Sequence, residues 1–309
     1  MADAASVQAG GPPAKRRSRG IPERRLAVLM VAPSMTLIAL VAIWPIIYAI
    51  WLSLHEYSLI QAGVSRWASP AGLGNYIDAL QSAEFWSATR VTFIFTILSV
   101  IGETLLGLGM ALIMQSAFKG QGLLRTVVLV PWAVLTVVTA IMWKTIFDPN
   151  LGFVNTLLGT NTVWLGEEPH ALAVMIFADI WKTAPFMALL LLAGLQVIPD
   201  DIYEAAKVDG ATAWQRFTKI TLPLLKPALL VALIFRTLDA LRIFDLPFVL
   251  TKGAHGTTTL SLISYETFQT NRILGAGSAL AVLTFVIVMI VSFVYIRFVG
   301  GNIRGMAED

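Results

Sequence analysis

Long runs of apolar residues separated by short polar stretches set the pattern of this chain. Six runs are long enough to be bilayer-spanning helices, which need about 20 residues each. They are Leu26 to Trp51, Val91 to Met114, Thr126 to Trp143, Ala171 to Leu195, Pro227 to Leu250 and Ala279 to Phe298. The pattern therefore predicts an all-α protein with six transmembrane helices over residues 26–298. The first run carries no charge and exceeds a signal-peptide core, with no small-residue cleavage site before a polar region, so it reads as a retained span. Residues 1–25, with Gly10, Gly11, Pro12 and Pro13 beside a basic cluster, read as a disordered tail. Residues 299–309 read as a second tail.

Composition agrees with this. Apolar residues make up 57% of the 309, and only 13% are charged, about half the share of a soluble domain. One soluble core of this size cannot hide so much apolar surface, because about a quarter of the chain's surface stays exposed at this length. With no cysteine, disulfides, thiolate nucleophiles and Cys-ligated zinc are excluded.

The 22 Lys and Arg residues set an orientation. Three (Lys182, Arg236 and Arg242) lie deep in the spans. With the N-terminus in the cytoplasm, 14 of the others fall inside and 5 outside. The positive-inside rule then predicts cytoplasmic N- and C-termini. The net charge of +3 is thus sorted by membrane side, and it is not gathered into a nucleic-acid-binding face.

The longest charged internal segment, residues 198–227, has its own architecture. Asp201 and Glu204 are spaced as a capping box, and Gly210 suits the left-handed turn that ends a helix. Thr212 and Gln215 open a second helix, with Trp214, Phe217 and Ile220 along one face and Pro223 as its expected stop. The pattern alone permits an amphipathic loop lying on the membrane surface.

Glu204, Ala205, Ala206, Asp209, Gly210, Ala211, Phe217, Ile220, Leu222, Pro223 and Pro227 resemble the "EAA" loop of binding-protein-dependent ABC importer permeases. Trp181 through Phe186, Leu192 through Gln196 and Tyr203 are similar to the first permease subunit of carbohydrate importers, the group related to maltose and glycerol-phosphate permeases. The whole chain most resembles the trehalose-importing branch. The resemblance implies the type I ABC importer permease fold and a non-catalytic subunit of a bacterial inner membrane. It also implies a heterodimer with a second permease, two cytoplasmic ABC ATPases and an extracytoplasmic solute-binding lipoprotein. ATP and Mg would be held by the ATPases and none by this chain. Glu204, Ala205, Ala206, Asp209, Gly210 and Phe217 would then form the ATPase-coupling contact.

Other chemistries lack their residues. There is no Gly-x-x-x-x-Gly-Lys phosphate loop and no Gly-x-Ser-x-Gly elbow. His55, His170 and His255 fall in predicted external loops without metal-ligand spacing, so no metal site is expected. A self-sufficient secondary transporter would show inverted repeats, and a membrane enzyme would show clustered catalytic groups. Neither signature is present.

Seven ionisable groups fall at membrane depth: Glu103, Asp179, Lys182, Arg236, Asp239, Arg242 and Asp245. Each costs roughly 2.5 to 3.5 kcal/mol to insert, so such groups normally face a bundle interior. Glu103, beside Gly102 and Gly107, reads as a helix-interface group. The i, i+3 spacing of Asp239, Arg242 and Asp245 permits an ion-pair ladder that would glue helices together, with pathway lining as the other reading of these three, and Asp179 and Lys182 have the spacing to neutralise each other. On one face of the fourth span, Asp179, Lys182, Thr183 and Phe186 offer charges, a hydroxyl and a ring, a mixture that suits sugars. Arg236, Asp239 and Ile243 would face them from the fifth span. These seven residues form the expected substrate path.

Overall fold

In a computed structural model, the described residues are 23–59, 69–116 and 119–305. The expected basic tail lies outside them up to residue 22. A first unit, ending at Tyr48, holds α1 (Glu23–Ile38), a π-turn (Ala39–Ile43) and the start of α2 (Trp44–Ser53). Its side chains are almost all exposed, as a lipid-facing helix requires.

The second unit begins at Ala49. A two-residue ribbon pairs β1 (His55–Glu56) with β2 (Ser69–Pro70), and α3 (Gly74–Gln81) and α4 (Ala83–Gln115) follow. Ser82 caps α4 by accepting from the Glu84 and Phe85 amides, so the helix starts eight residues before the apolar run predicts. The third run is not one helix. It divides into α5 (Gln121–Ala133) and α6 (Thr136–Ile146), bent by 87°, with extended backbone at Val134. Asp148 then accepts from the Leu151 and Asn150 amides at 2.9 Å each. These amides hold its carboxyl below the usual carboxylate range. A short helix, α7 (Phe153–Leu158), leads to α8 (His170–Leu195).

Next come α9 (Asp200–Val208), α10 (Ala213–Arg216), a π-turn (Phe217–Thr221), α11 (Leu222–Ala240), α12 (Asp245–Leu250) and α13 (Leu260–Tyr265). A last π-turn (Glu266–Thr270) precedes α14 (Leu274–Gly305), which continues helically past residue 298, where the apolar run ends. Among the described residues, five helical runs, six with the bent pair, are long and apolar enough to cross a membrane.

The centre of the unit is α4 packed on α8, with α11 against both. Hydrophobicity does not drive helices together in lipid, so close packing through small residues must do so. A Cβ on Gly102 would strike Ile180, one on Gly107 would strike Met187, and one on Gly194 would strike Ala228. Two apolar clusters result. One holds Met114, Met187, Leu191, Leu195 and Leu225, and the other holds Phe95, Trp143, Met175, Ala178 and Leu246.

Candidate functional site

Between these two clusters lies a charged layer centred on Arg236 of α11. Its Nε donates to Glu103 Oε2 at 2.5 Å and its Nη2 to Glu103 Oε1 at 2.7 Å, a bidentate pair with α4. The same Nη2 reaches Asp179 of α8 at 3.2 Å, and Nη1 donates to Asp239 at 2.5 Å. Glu103 is fully buried and the side chains of Arg236 and Asp179 almost so, whereas that of Asp239 is 68% exposed. The guanidinium fork suits several carboxylates at once, and it ties three helices together in a single layer.

Two pairings that spacing permits do not form. The ladder of Asp239, Arg242 and Asp245 does not form, because α11 ends at Ala240 and Asp245 opens another helix. Pro247 explains the break, since its ring would clash with the carbonyl four residues back in a continuous helix. Arg242 instead donates to the Leu238 carbonyl. Asp179 and Lys182 do not neutralise each other either. Asp179 turns to Arg236, while Lys182 Nζ donates to the carbonyls of Val134 at 2.5 Å and Trp132 at 3.3 Å.

The layer borders a cavity of about 540 Å³. Lys182, Thr183, Phe186, Arg236 and Asp239 line it, together with Arg242 and the bend of Val134 and Leu135. Trp132 also lines it and stacks on Phe186, with ring centroids 5.5 Å apart and planes at 12°. Thr183 donates its hydroxyl to the Asp179 carbonyl at 2.5 Å, leaving oxygen lone pairs toward the space. Of the seven residues expected to form a path, five lie on this wall. Asp179 is buried behind it, and Ile243 packs into the apolar cluster of Phe95 and Trp143. Sequence reading missed Trp132; Pro131 beside it was the available signal of a broken span.

The segment between α8 and α11 forms a bracket. Gly210 takes φ +79°, and the amides of Gly210 and Ala211 close α9 onto the Lys207 and Ala206 carbonyls. The Thr212 and Gln215 capping box forms in both directions. The box expected from Asp201 and Glu204 does not, because Pro199 takes the cap position and both acids fall inside α9. Pro223 does not stop the second arm. The π-turn, closed by the Leu222 amide on the Phe217 carbonyl, puts Pro223 in the first turn of α11, where a missing N–H is tolerated.

Glu204, Ala205, Asp209 and Gly210 are exposed, and Ala206 and Phe217 are half-buried. Arg216 donates to the Ala211 carbonyl at 2.7 Å, and the Tyr203 and Thr221 hydroxyls meet at 3.1 Å, so the two arms hold each other. Val208 and Trp214 are 88% and 70% exposed, apolar groups left uncovered beside a groove of about 930 Å³ lined by Tyr203, Lys207 and Phe217.

Comparison with known proteins decides what kind of molecule this is. Residues 103–304 match the family described as the binding-protein-dependent transport system inner membrane component. The chain belongs to that family. It is a permease subunit, a non-catalytic membrane component of an ABC transporter.

The trehalose/maltose transport system permease protein MalF of Thermococcus litoralis is 45% identical, over 89% of the permease and 94% of that protein. The trehalose transport system permease protein SugA of Mycobacterium tuberculosis is 43% identical, over 92% and 91%. Among solved structures, a chain of a bacterial ABC transporter involved in the import of the acidic polysaccharide alginate superposes with TM-score 0.75 at 25% identity, over 89% of the permease and 96% of that chain. The predicted permease fold is therefore the observed one. Among the described residues no cluster of metal-binding side chains occurs.

Proposed function

We propose that the permease, paired with a second permease, forms the path for a sugar, and that the sugar is a disaccharide of the trehalose type. The names of the relatives at 43–45% identity support this class. The cavity wall carries the reading. Stacked Trp132 and Phe186 offer ring faces to sugar C–H groups, while Thr183, Asp239 and Arg242 offer polar partners to hydroxyls. Ligand sites are of this kind, mainly apolar with a few placed polar groups.

An external solute-binding protein would deliver the sugar. Two cytoplasmic ATPases, which hold ATP and Mg, would dock on the bracket at Glu204, Ala205, Ala206, Asp209, Gly210 and Phe217. Exposed Val208 and Trp214 are consistent with a surface that a partner covers.

The test is uptake of labelled trehalose by the reconstituted complex of both permeases, the two ATPases and the binding protein. With Phe186→Ala, uptake should fall at least tenfold, a loss of about 1.4 kcal/mol, while assembly and ATP turnover stimulated by the loaded binding protein persist. Unchanged uptake would overturn the path, and uptake of glycerol phosphate in place of trehalose would overturn the sugar as the solute. The orientation has its own test. Reporters fused after Gln121 and Ala211 should read as cytoplasmic, and those after Gly159 and Gly256 as external. An external reading at Ala211 would rule out ATPase docking there.

A further inference from the structure

We infer that Lys182 is a positioning residue that staples the bent third span and thereby holds the Trp132 ring against Phe186. A helix leaves its last four carbonyls without intrahelical donors. The end of α5 is an extreme case, because the chain turns by 87° into α6 with extended backbone at Val134 and Leu135. At membrane depth no solvent supplies the missing donors, and irregular backbone persists only where protein satisfies it or a cavity wets it. Lys182 Nζ lies 3.3 Å from the Trp132 carbonyl in the last turn of α5 and 2.5 Å from that of Val134 in the break itself.

The ammonium is free for this task because its i−3 neighbour, Asp179, is engaged by Arg236. Lys182 comes from α8, one turn before Phe186. The same helix therefore supplies one ring of the stack and the clamp that orients the other. With two donor hydrogens spent on backbone, Lys182 shapes the wall instead of grasping solute. Its consequence for transport rests on the sugar-path reading above, whereas the staple itself does not.

The chain has no cysteine, so spin labels attached before assembly with its partners react only at cysteines introduced into it. Labels at Leu123→Cys on α5 and Ile141→Cys on α6, both exposed positions, report the bend in the assembled transporter by pulsed electron resonance. With Lys182 present, the distance distribution should be narrow. Lys182→Met keeps the length and removes the donors; it should broaden or shift the distribution on the order of one helical turn, about 5 Å. Lys182→Arg, which restores N–H donors, should narrow it again.

Lys182→Leu covers the case in which the Met variant does not accumulate. A distribution unchanged by both donor-free variants would overturn the staple, even if uptake is lost. A broadened distribution together with full uptake in Phe186→Ala would leave the staple standing and remove only the sugar path.

Discussion

The bracket and the charged layer both depend on polar residues, yet they use them in opposite ways. The bracket keeps Glu204, Asp209 and Lys207 on the surface and holds its shape with local devices: a left-handed glycine, a capping box and two side-chain contacts between arms. None of these joins residues more than 18 apart in sequence. In the layer, Glu103 and Arg236 are 133 residues apart in sequence, and each is buried. Surface charges are free to serve a partner, because the fold does not need them. Buried charges must satisfy one another first; of the layer, Arg236 and Asp239 reach the cavity wall, and Asp239 keeps most of its side chain open.

The sharpest way to break this contrast is Arg236→Met. It leaves Glu103 and Asp179 without their cation, and losing one partner of a buried pair costs on the order of 3 to 5 kcal/mol. The variant should fail to accumulate in membranes or should unfold far earlier in detergent. Adding Glu103→Gln should recover part of the loss; a double variant no better than the single would contradict the pairing.

Gly210→Val comes next. No atom lies near the added Cβ, so the penalty is conformational alone, about 1 to 3 kcal/mol for a left-handed β-branched residue. Membrane content should be near normal while ATPase co-purification weakens. Normal association would show that the bracket's angle is unimportant.

Tyr203→Phe removes the contact with Thr221 and should cost about 1 kcal/mol, visible as a small drop in melting temperature. Glu204→Lys, last in the series, should leave stability within about 0.5 kcal/mol but abolish ATPase binding. If it destabilised the chain as Arg236→Met does, the two regions would not differ in kind.

How much could be read in advance follows the same division. Five of the spans follow from apolar length, although the fifth leaves the helix at Ala240, and the bracket's elbow and second cap follow from Gly210, Thr212 and Gln215, since those signals act over a few residues. The broken third span was not foreseen. Apolar periodicity is the same for a straight helix and for one that bends at Val134, and the choice depends on whether Lys182 arrives from another helix to satisfy the carbonyls.

The charged layer was legible as a set of residues but not as a set of pairs. Spacing suggested partners at i, i+3, namely Asp179 with Lys182 and Asp239 with Arg242. The packing of Gly102 and Gly107 on α8 brought Glu103 within reach of Arg236 and redistributed every pair. Asp201 shows a further limit, because two positions compete to cap one helix and the residue order alone does not say that Pro199 prevails.

The π-turn at Phe217–Thr221 has a mechanical meaning. It permits Ala213 to Ala240 to run as one helical rod, roughly 40 Å long at about 1.5 Å per residue, unbroken although Pro227 lies inside it. One end carries Trp214, and the other stops just beyond Arg236 and Asp239, where the chain leaves the helix. A push on the bracket by a docked partner would travel along this one continuous helix toward the far tip. Were the rod to end at Pro223, the same push would dissipate in a flexible corner before reaching the wall of the cavity.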